Sequence, residues 1–122
     1  MATIKCDWAA VRSQTDANVL REAASGFEDA ITIAARWVGG ETIDDLGSLN
    51  CGARGDLMLS IQSQFLDVAE LEIKFVQVDR FSYDFQYDAE LRVGFRDTDV
   101  EVRLLAWSIV AAKILWRQKH SC

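Results

Sequence analysis

The chain has 122 residues, half of them apolar and 26% charged, which is the balance of one globular domain and not of a disordered chain. Thirteen Lys+Arg against 19 Asp+Glu leave a net charge of −6, which argues against phosphate-backbone binding, because that draws its affinity from basic clusters. No apolar run approaches the ~20 residues of a membrane helix, so the chain is not expected to span a bilayer.

The three cysteines, Cys6, Cys51 and Cys122, are widely spaced and form no Cys-x-x-Cys. Neither a disulfide framework nor a zinc knuckle is indicated. Residues Met1 to Trp8 lack the ~7–15 apolar residues of a signal peptide, so we expect a cytoplasmic protein. Proline is absent. Every backbone N–H beyond the N-terminus is therefore available to paired strands.

The first 26 residues read as helical. Asp7 caps a short turn through Val11, and Thr15 or Asp16 caps a second helix with Val19, Leu20, Ala23 and Ala24 as its apolar stripe. Gly26 supplies a left-handed stop. From Phe27 the period becomes two. Ile31, Ile33, Ala35 and Trp37 alternate with polar or small neighbours, and Gly39-Gly40 reads as a two-residue hairpin turn. Glu41 to Leu49 reads as an edge strand or an irregular passage, and 50–56 as a loop.

Leu57, Leu59, Ile61 and Phe65 mark the next strand. Leu71, Ile73 and Phe75 mark another, after which the apolar parity switches to Val76 and Val78, predicting a bulge near Phe75–Val76. Phe81, Tyr83, Phe85, Tyr87, Ala89, Leu91, Val93 and Phe95 then occupy odd positions. A straight strand over 81–95 would run about 50 Å, against a radius of gyration near ~14 Å for this length. The run must bend or break, between Tyr83 and Tyr87.

Apolar matching fixes the following hairpin. A two-residue turn at Asp97-Thr98 pairs Arg96 with Asp99, Phe95 with Val100, Val93 with Val102 and Leu91 with Leu104. Trp107 to Arg117 fits either period, and its β-branched and aromatic content favours a strand buried on both faces. The predicted class is α+β: an N-terminal helical segment packed on a twisted antiparallel sheet of about five or six strands. It forms one domain, with a helical segment at 1–26, a sheet at 27–117 and a flexible tail at 118–122.

Phe27-Glu28-Asp29-Ala30-Ile31, Leu59-Ser60-Ile61-Gln62-Ser63-Gln64, Glu70-Leu71-Glu72-Ile73-Lys74-Phe75 with Val78, and Ala112-Lys113-x-x-Trp116-Arg117 resemble a group of small uncharacterised bacterial proteins. Those proteins open their sheet with Phe-His-Asp and end it on a Trp-containing strand. The resemblance spans about residues 27–117. Glu28 stands where the His would be, so any role of that His is absent. The resemblance implies a helix packed on an antiparallel sheet and assigns no catalytic residue.

Catalytic patterns are weak. The sole histidine, His120, lies in the expected tail, out of reach of a nucleophile that needs a fixed base. Cys6 and Cys51 read as small buried hydrophobes, Cys122 as a free terminal thiol. Asp44-Asp45 falls in a polar stretch, and Asp97 with Asp99 at a hairpin tip, where Asp is ordinary turn chemistry. Gly52-Ala53-Arg54-Gly55 lacks the phosphate-loop pattern and its lysine. We therefore expect a protein that is not an enzyme, with no metal and no cofactor. Aromatics interleaved with polar residues suit base stacking, but Asp84 and Asp88 repel phosphates, so they read as inward-facing core and nucleic acid as no partner.

Two functional readings remain. One is an acidic interaction module, as immunity proteins and antitoxins are, binding a basic protein through Asp84, Asp88 and Glu90. Against it stands a plain solvated face, where Asp79, Asp84, Asp88, Glu90 and Glu101 pair with Arg92, Arg96 and Arg103 for tenths of a kcal/mol each. The other is a small-ligand domain, with an apolar pocket between sheet and helix lined by Trp37, Phe81, Tyr83 and Phe85. The sequence sets no oligomeric state, and a homodimer is among the arrangements it permits.

Overall fold

The computed structural model describes residues 7–27, 30–39, 42–43, 45–50, 54–63 and 70–119, with backbone alone at 42–43, 49–50, 63, 85–90 and 119. In chain order the elements are β1 (Ala9–Val11), α1 (Gln14–Ala23), a 3₁₀ turn (Ser25–Phe27), β2 (Ala30–Val38), β3 (Thr42–Ile43), β4 (Leu49–Asn50), β5 (Asp56–Ser63), β6 (Glu70–Phe95) and β7 (Val100–Lys119). Five strands form an antiparallel sheet in the order β1-β7-β6-β5-β2, and β3 pairs with β4 apart from it. Helix and antiparallel sheet are both present as expected, but the sheet dominates and the helix has only 10 residues.

The N-terminus departs from expectation. Ala9, Ala10 and Val11 pair with Trp116, Leu115 and Ile114 as an edge strand, where a helical turn was predicted. Three residues cannot meet the nucleation cost of a helix, whereas the edge of β7 offers a ready ladder. The helix cap also moves, from Thr15 or Asp16 to Ser13, whose backbone is extended and whose Oγ accepts the Asp16 N–H at 3.2 Å. Asp16 instead sits in the first turn, accepts the Arg12 N–H at 2.9 Å and complements the helix dipole. Ala17, Leu20 and Ala24 are the buried stripe, while Val19 is exposed.

Gly26 takes the left-handed conformation expected of a helix stop, φ +71°. Its neighbour Phe27 does so too, at φ +59°, and is fully buried. A left-handed non-glycine costs roughly 1–2 kcal/mol. Burying a phenylalanine returns roughly 1.5–3 kcal/mol, so the aromatic ring holds its own backbone in place.

The expected Gly39-Gly40 turn reaches Gly40, which lies outside the described residues. β2 pairs with β5, Trp37 opposite Leu57 and Val38 opposite Asp56, and the β3–β4 pair lies in the connection between them. The polar return segment has no alternating apolar face, whereas Leu57, Leu59 and Ile61 supply one. β2 also carries a register shift between Thr32 and Ala34. Phe65, expected in the β5 strand, lies outside the described residues.

The long hairpin follows its predicted register where it matters. Phe95 opposes Val100 and Val93 opposes Val102, and the Arg96 N–H donates to the Asp99 carbonyl at 2.9 Å across Asp97-Thr98. Leu91 and Leu104 are both buried but are not ladder partners, since the register shifts beyond Arg92 and Arg103. The ladder breaks between Tyr83 and Asp88, within the expected bend: from Tyr83–Trp107 to Asp88–Leu105, five residues of β6 span two of β7.

The predicted bulge is displaced. Phe75 and Val76 stay in register with Ile114 and Lys113, and the shift falls between Val78 and Arg80. Gln77 takes φ +52° and carries the buried parity from Phe75 to Val78. The cause lies where β5 begins: the Gln77 N–H donates to Asp56 Oδ1 at 2.9 Å and the Val78 N–H to the Gly55 carbonyl at 2.8 Å. β7 is a strand through Trp107–Arg117 as expected. It then runs past the predicted boundary, Gln118 pairing with Leu71 and Lys119 with Glu70.

One hydrophobic core joins both halves of the hairpin. Leu59, Ile61, Ile73, Phe75 and Ile114 of the wide part cluster with Leu91, Val93, Val100, Val102 and Leu104 of the far end, and with Leu20, Ala24 and Phe27. Gln14 Nε2 donates to the Val93 carbonyl at 2.6 Å and Arg21 Nη2 to the Leu91 carbonyl at 2.5 Å. The far end of the hairpin is thereby tied to the helix.

Candidate interaction surface

Trp37 of β2, Phe81 and Tyr83 of β6 and Trp107 of β7 form one chain of rings. Centroid separations are 5.2 Å for Trp37–Phe81, 6.3 Å for Phe81–Trp107 and 5.0 Å for Tyr83–Trp107. Phe81 and Tyr83 were expected as inward-facing core, and Trp37 with them as a wall of an apolar pocket. Instead Trp37, Phe81 and Tyr83 are 46%, 44% and 52% exposed. Past Val78, β6 no longer pairs with β5, and the β6–β7 ribbon continues alone toward β2. The aromatics lie where that ribbon meets β2, at a rim open to solvent. Trp107 Nε1 donates to Thr32 Oγ1 at 3.1 Å across the same seam. The Phe85 side chain lies outside the described residues.

Among the described residues, the cavity found beside the helix is bordered by other side chains than these rings. The cavity there, about 580 Å³, is bordered by Gln14, Arg21, Gly26, Leu91, Arg92 and Val93. Tyr83 borders two grooves at the rim, and Trp107 one of them. One, of about 290 Å³, is lined by Ala30, Ile31, Thr32, Tyr83, Leu105 and Ala106. The other, of about 350 Å³, is lined by Thr32, Ile33, Ala34, Ala35, Tyr83 and Trp107. Both stand at the bottom of the ~300–1,000 Å³ range of small-molecule sites. Each suits an apolar side chain better than a whole ligand.

Beside the grooves, Ile31, Ile33 and Val38 of β2 are also exposed. β2 ends the sheet, and among the described residues no strand pairs with its outer edge. Ile31 and Ile33, the apolar parity of their strand, were not expected as surface residues. Period two shows that side chains alternate; it does not show which face something else covers.

The acidic stripe is only partly placed. Asp84 is exposed, and Asp88 opposes Leu105 by its backbone; the side chains of Asp88 and Glu90 lie outside the described residues. Nearby charges form the cross-strand pairs of a solvated face. Arg96 donates twice to Asp99, at 2.6 and 2.9 Å, and lies 3.7 Å from Glu101. Arg54 stands 3.6 Å from Asp79. The hydrogen bond from Arg96, aided by its charge, holds the Asp99 carboxyl below its ordinary value, and Asp99 raises the Arg96 guanidinium in turn. Arg92 and Arg103, by contrast, face each other directly in the ladder.

A second charged pair was not anticipated. Glu72 is buried, opposes Arg117 in register and accepts from its Nε at 2.9 Å. The Arg117 guanidinium lies 4.3 Å from the Trp8 ring centre. Glu72 looked like any outward residue of an alternating strand; only the position of Trp8 reveals the cover.

No family model, curated protein or solved structure matches the chain. The surface is therefore read from its own residues. Among the described residues no group of three or more His, Cys, Asp or Glu could hold a metal ion, and no helix is long and apolar enough to cross a membrane. His120, Cys6, Cys51, Cys122 and Asp44 lie outside the described residues.

Proposed function

We propose that the protein is a non-enzymatic interaction module that binds a basic protein partner. The observation that carries this reading is the row of half-exposed Trp37, Phe81 and Tyr83, joined by the partly buried Trp107, beside exposed Ile31 and Ile33. Contiguous apolar surface supports recognition, and aromatic side chains supply most of the energy at protein interfaces. The net charge of −6 sets the sign of the partner. Asp84, Asp88 and Glu90 follow Tyr83 directly along β6, so carboxylates adjoin the aromatic row in the chain.

Replacing Asp84 and Asp88 by Asn and Glu90 by Gln tests the charge component. Binding partners are captured from native lysate, and association is timed at two ionic strengths. The triple amide should associate more slowly, with the gap narrowing as salt rises. Equal rates at low salt would reduce the stripe to a solvated face. The small-ligand reading keeps one supporting observation, the cavity beside α1. Its two arginines suit an anionic compound and not the apolar one first expected. A shift in melting temperature with small anions, unchanged when Arg92→Gln removes one cation, would dismiss it.

A further inference from the structure

We infer that the cavity between α1 and the far end of the β6–β7 hairpin binds the phosphate of a small organic phosphomonoester, with Arg21 and Arg92 supplying charge and Gln14 a hydrogen bond. The inference rests on the small-ligand reading of this cavity and names the ligand's class. The cavity, about 580 Å³, is bordered by Gln14, Arg21, Gly26, Leu91, Arg92 and Val93. That volume lies well inside the ~300–1,000 Å³ range of small-molecule sites. Hydrogen bonding decides what it can hold. The carbonyls of Leu91 and Val93 already accept, from Arg21 Nη2 at 2.5 Å and from Gln14 Nε2 at 2.6 Å. Arg21 also gives Nη1 to Asn18 Oδ1 at 2.8 Å, so two of the five N–H groups of its guanidinium are used. Gln14 Nε2 carries a second N–H. The capacity left on these two side chains is mainly donor capacity. Both bonds of Arg21 also hold its guanidinium still, so a ligand meets a fixed fork whose ordering cost the fold has already met.

Charge sets the class. Two guanidinium groups border the cavity and, among the described residues, no carboxylate does. Arg92 also faces Arg103 directly across the ladder, a like-charge pairing that costs stability and that a bound anion offsets. A carboxylate would balance one of the two charges at the cavity. A phosphomonoester, with a charge of about −1.5 to −2 near neutrality, balances both. The net charge of −6 is a sum over the whole chain. At physiological salt, exposed charges more than ~8 Å away are largely screened, so the groups bordering the cavity decide locally. The volume exceeds what a bare phosphate fills. A Cβ at Gly26 would meet nothing within 4 Å, so the wall there leaves room for the organic body.

The test titrates the full chain with phenyl phosphate, benzoate and benzamide. Two-dimensional NMR follows the backbone amides of Gly26, Leu91 and Val93 and the side-chain Nε–H of Arg21. Phenyl phosphate should shift these resonances saturably, benzoate should bind about tenfold more weakly, and benzamide should leave them in place. Arg92→Gln, which removes a cation, and Gln14→Glu, which adds a carboxylate at the cavity, should each weaken phenyl phosphate by about tenfold. Both side chains are exposed, and a glutamate in the first turn of α1 suits the helix dipole, so both variants keep the fold. Benzamide binding at these amides as tightly as phenyl phosphate overturns the inference and keeps the small-ligand reading. No saturable shift there with any of the three compounds overturns both. Phenyl phosphate binding unchanged in both variants, or matched by benzoate, overturns the phosphate assignment.

Discussion

The indole N–H of Trp107 donates to Thr32 Oγ1 at 3.1 Å, yet β7 and β2 are separated in the sheet by β6 and β5. Strands in a flat sheet lie ~4.8 Å apart, so strands three places apart stand ~14 Å from one another. The bond requires the β6–β7 ribbon to curl over until it reaches β2. Trp37 and Phe81, whose strands flank β5, make the same crossing with their rings. The closure brings together the aromatic row and both grooves. It also leaves β2 on the open side, with its outer edge free among the described residues.

That closure is measurable by a double-mutant cycle. Thr32→Val and Trp107→Phe should each cost about 0.5–1.5 kcal/mol for the lost bond, the second somewhat more because the indole also packs against the core. Their coupling energy in urea unfolding should be about 0.5 kcal/mol or more. Strictly additive losses would mean that the bond does not hold the seam.

Gly55 permits the crossing sterically. A Cβ there would stand 2.4 and 2.8 Å from atoms of the Trp37 ring and 2.6 Å from the Val38 carbonyl oxygen. The ring can rotate away; the backbone oxygen cannot move cheaply. Gly55→Ala should therefore cost about 1–3 kcal/mol by overpacking, and should alter the near-ultraviolet circular dichroism of the tryptophans. Wild-type stability with an unchanged spectrum would show that Trp37 does not lie over Gly55.

Local chemistry was legible in the sequence, and distant coverage was not. The Phe95–Val100 and Val93–Val102 register could be read because two apolar rows of opposite parity admit one even-length turn. The break in the ladder after Tyr83 was legible because a straight 15-residue strand is too long for a chain of this size. The bulge was misplaced by two residues because Asp56 and Gly55, some twenty positions upstream, decide where β6 breaks. Phe81 and Tyr83 read as inward in the sequence because alternation cannot tell a covered face from a rim. Ser13, Thr15 and Asp16 compete for the cap because Ser and Asp are nearly equivalent there, and composition alone does not choose among them. The β1 edge strand had no three-residue signal to find.

Glu72 and Arg117 offer a sharper test of the buried face. Removing one partner of a buried ion pair typically costs about 3–5 kcal/mol, because the other charge is left unpaired. Arg117 keeps a third of its side chain in solvent, so Arg117→Met should cost less, about 2–3 kcal/mol. Glu72→Gln retains an acceptor for the guanidinium and should cost less than Arg117→Met. Replacing both with leucine should recover much of the loss. If Arg117→Met is neutral in denaturant unfolding, the pair is solvated and Trp8 does not cover it.

The hairpin tip gives a pH dependence of definite sign. Asp99 accepts two hydrogen bonds from Arg96, which hold its carboxyl below the ordinary value of 3.8. In the acid range the unfolded chain therefore binds this proton more readily than the folded one. The contribution is fully present above about pH 4 and is lost as pH falls from there through the lower folded value. Asp99→Asn should flatten the fall of stability with pH in that window. It should leave the slope near neutrality unchanged, since Asp99 is ionised there in both states. Because Arg96 and Asp99 are both solvent-accessible, added salt should reduce the difference between wild type and variant. Arg96→Gln should let the Asp99 carboxyl titrate closer to its ordinary value, which carbon-detected NMR of the carboxyl resonance reads directly. A wild-type Asp99 that titrates at the ordinary value, unmoved by Arg96→Gln, would show that the two side chains do not share this bond in solution. The two-residue turn would then rest on the Arg96–Asp99 backbone bond alone.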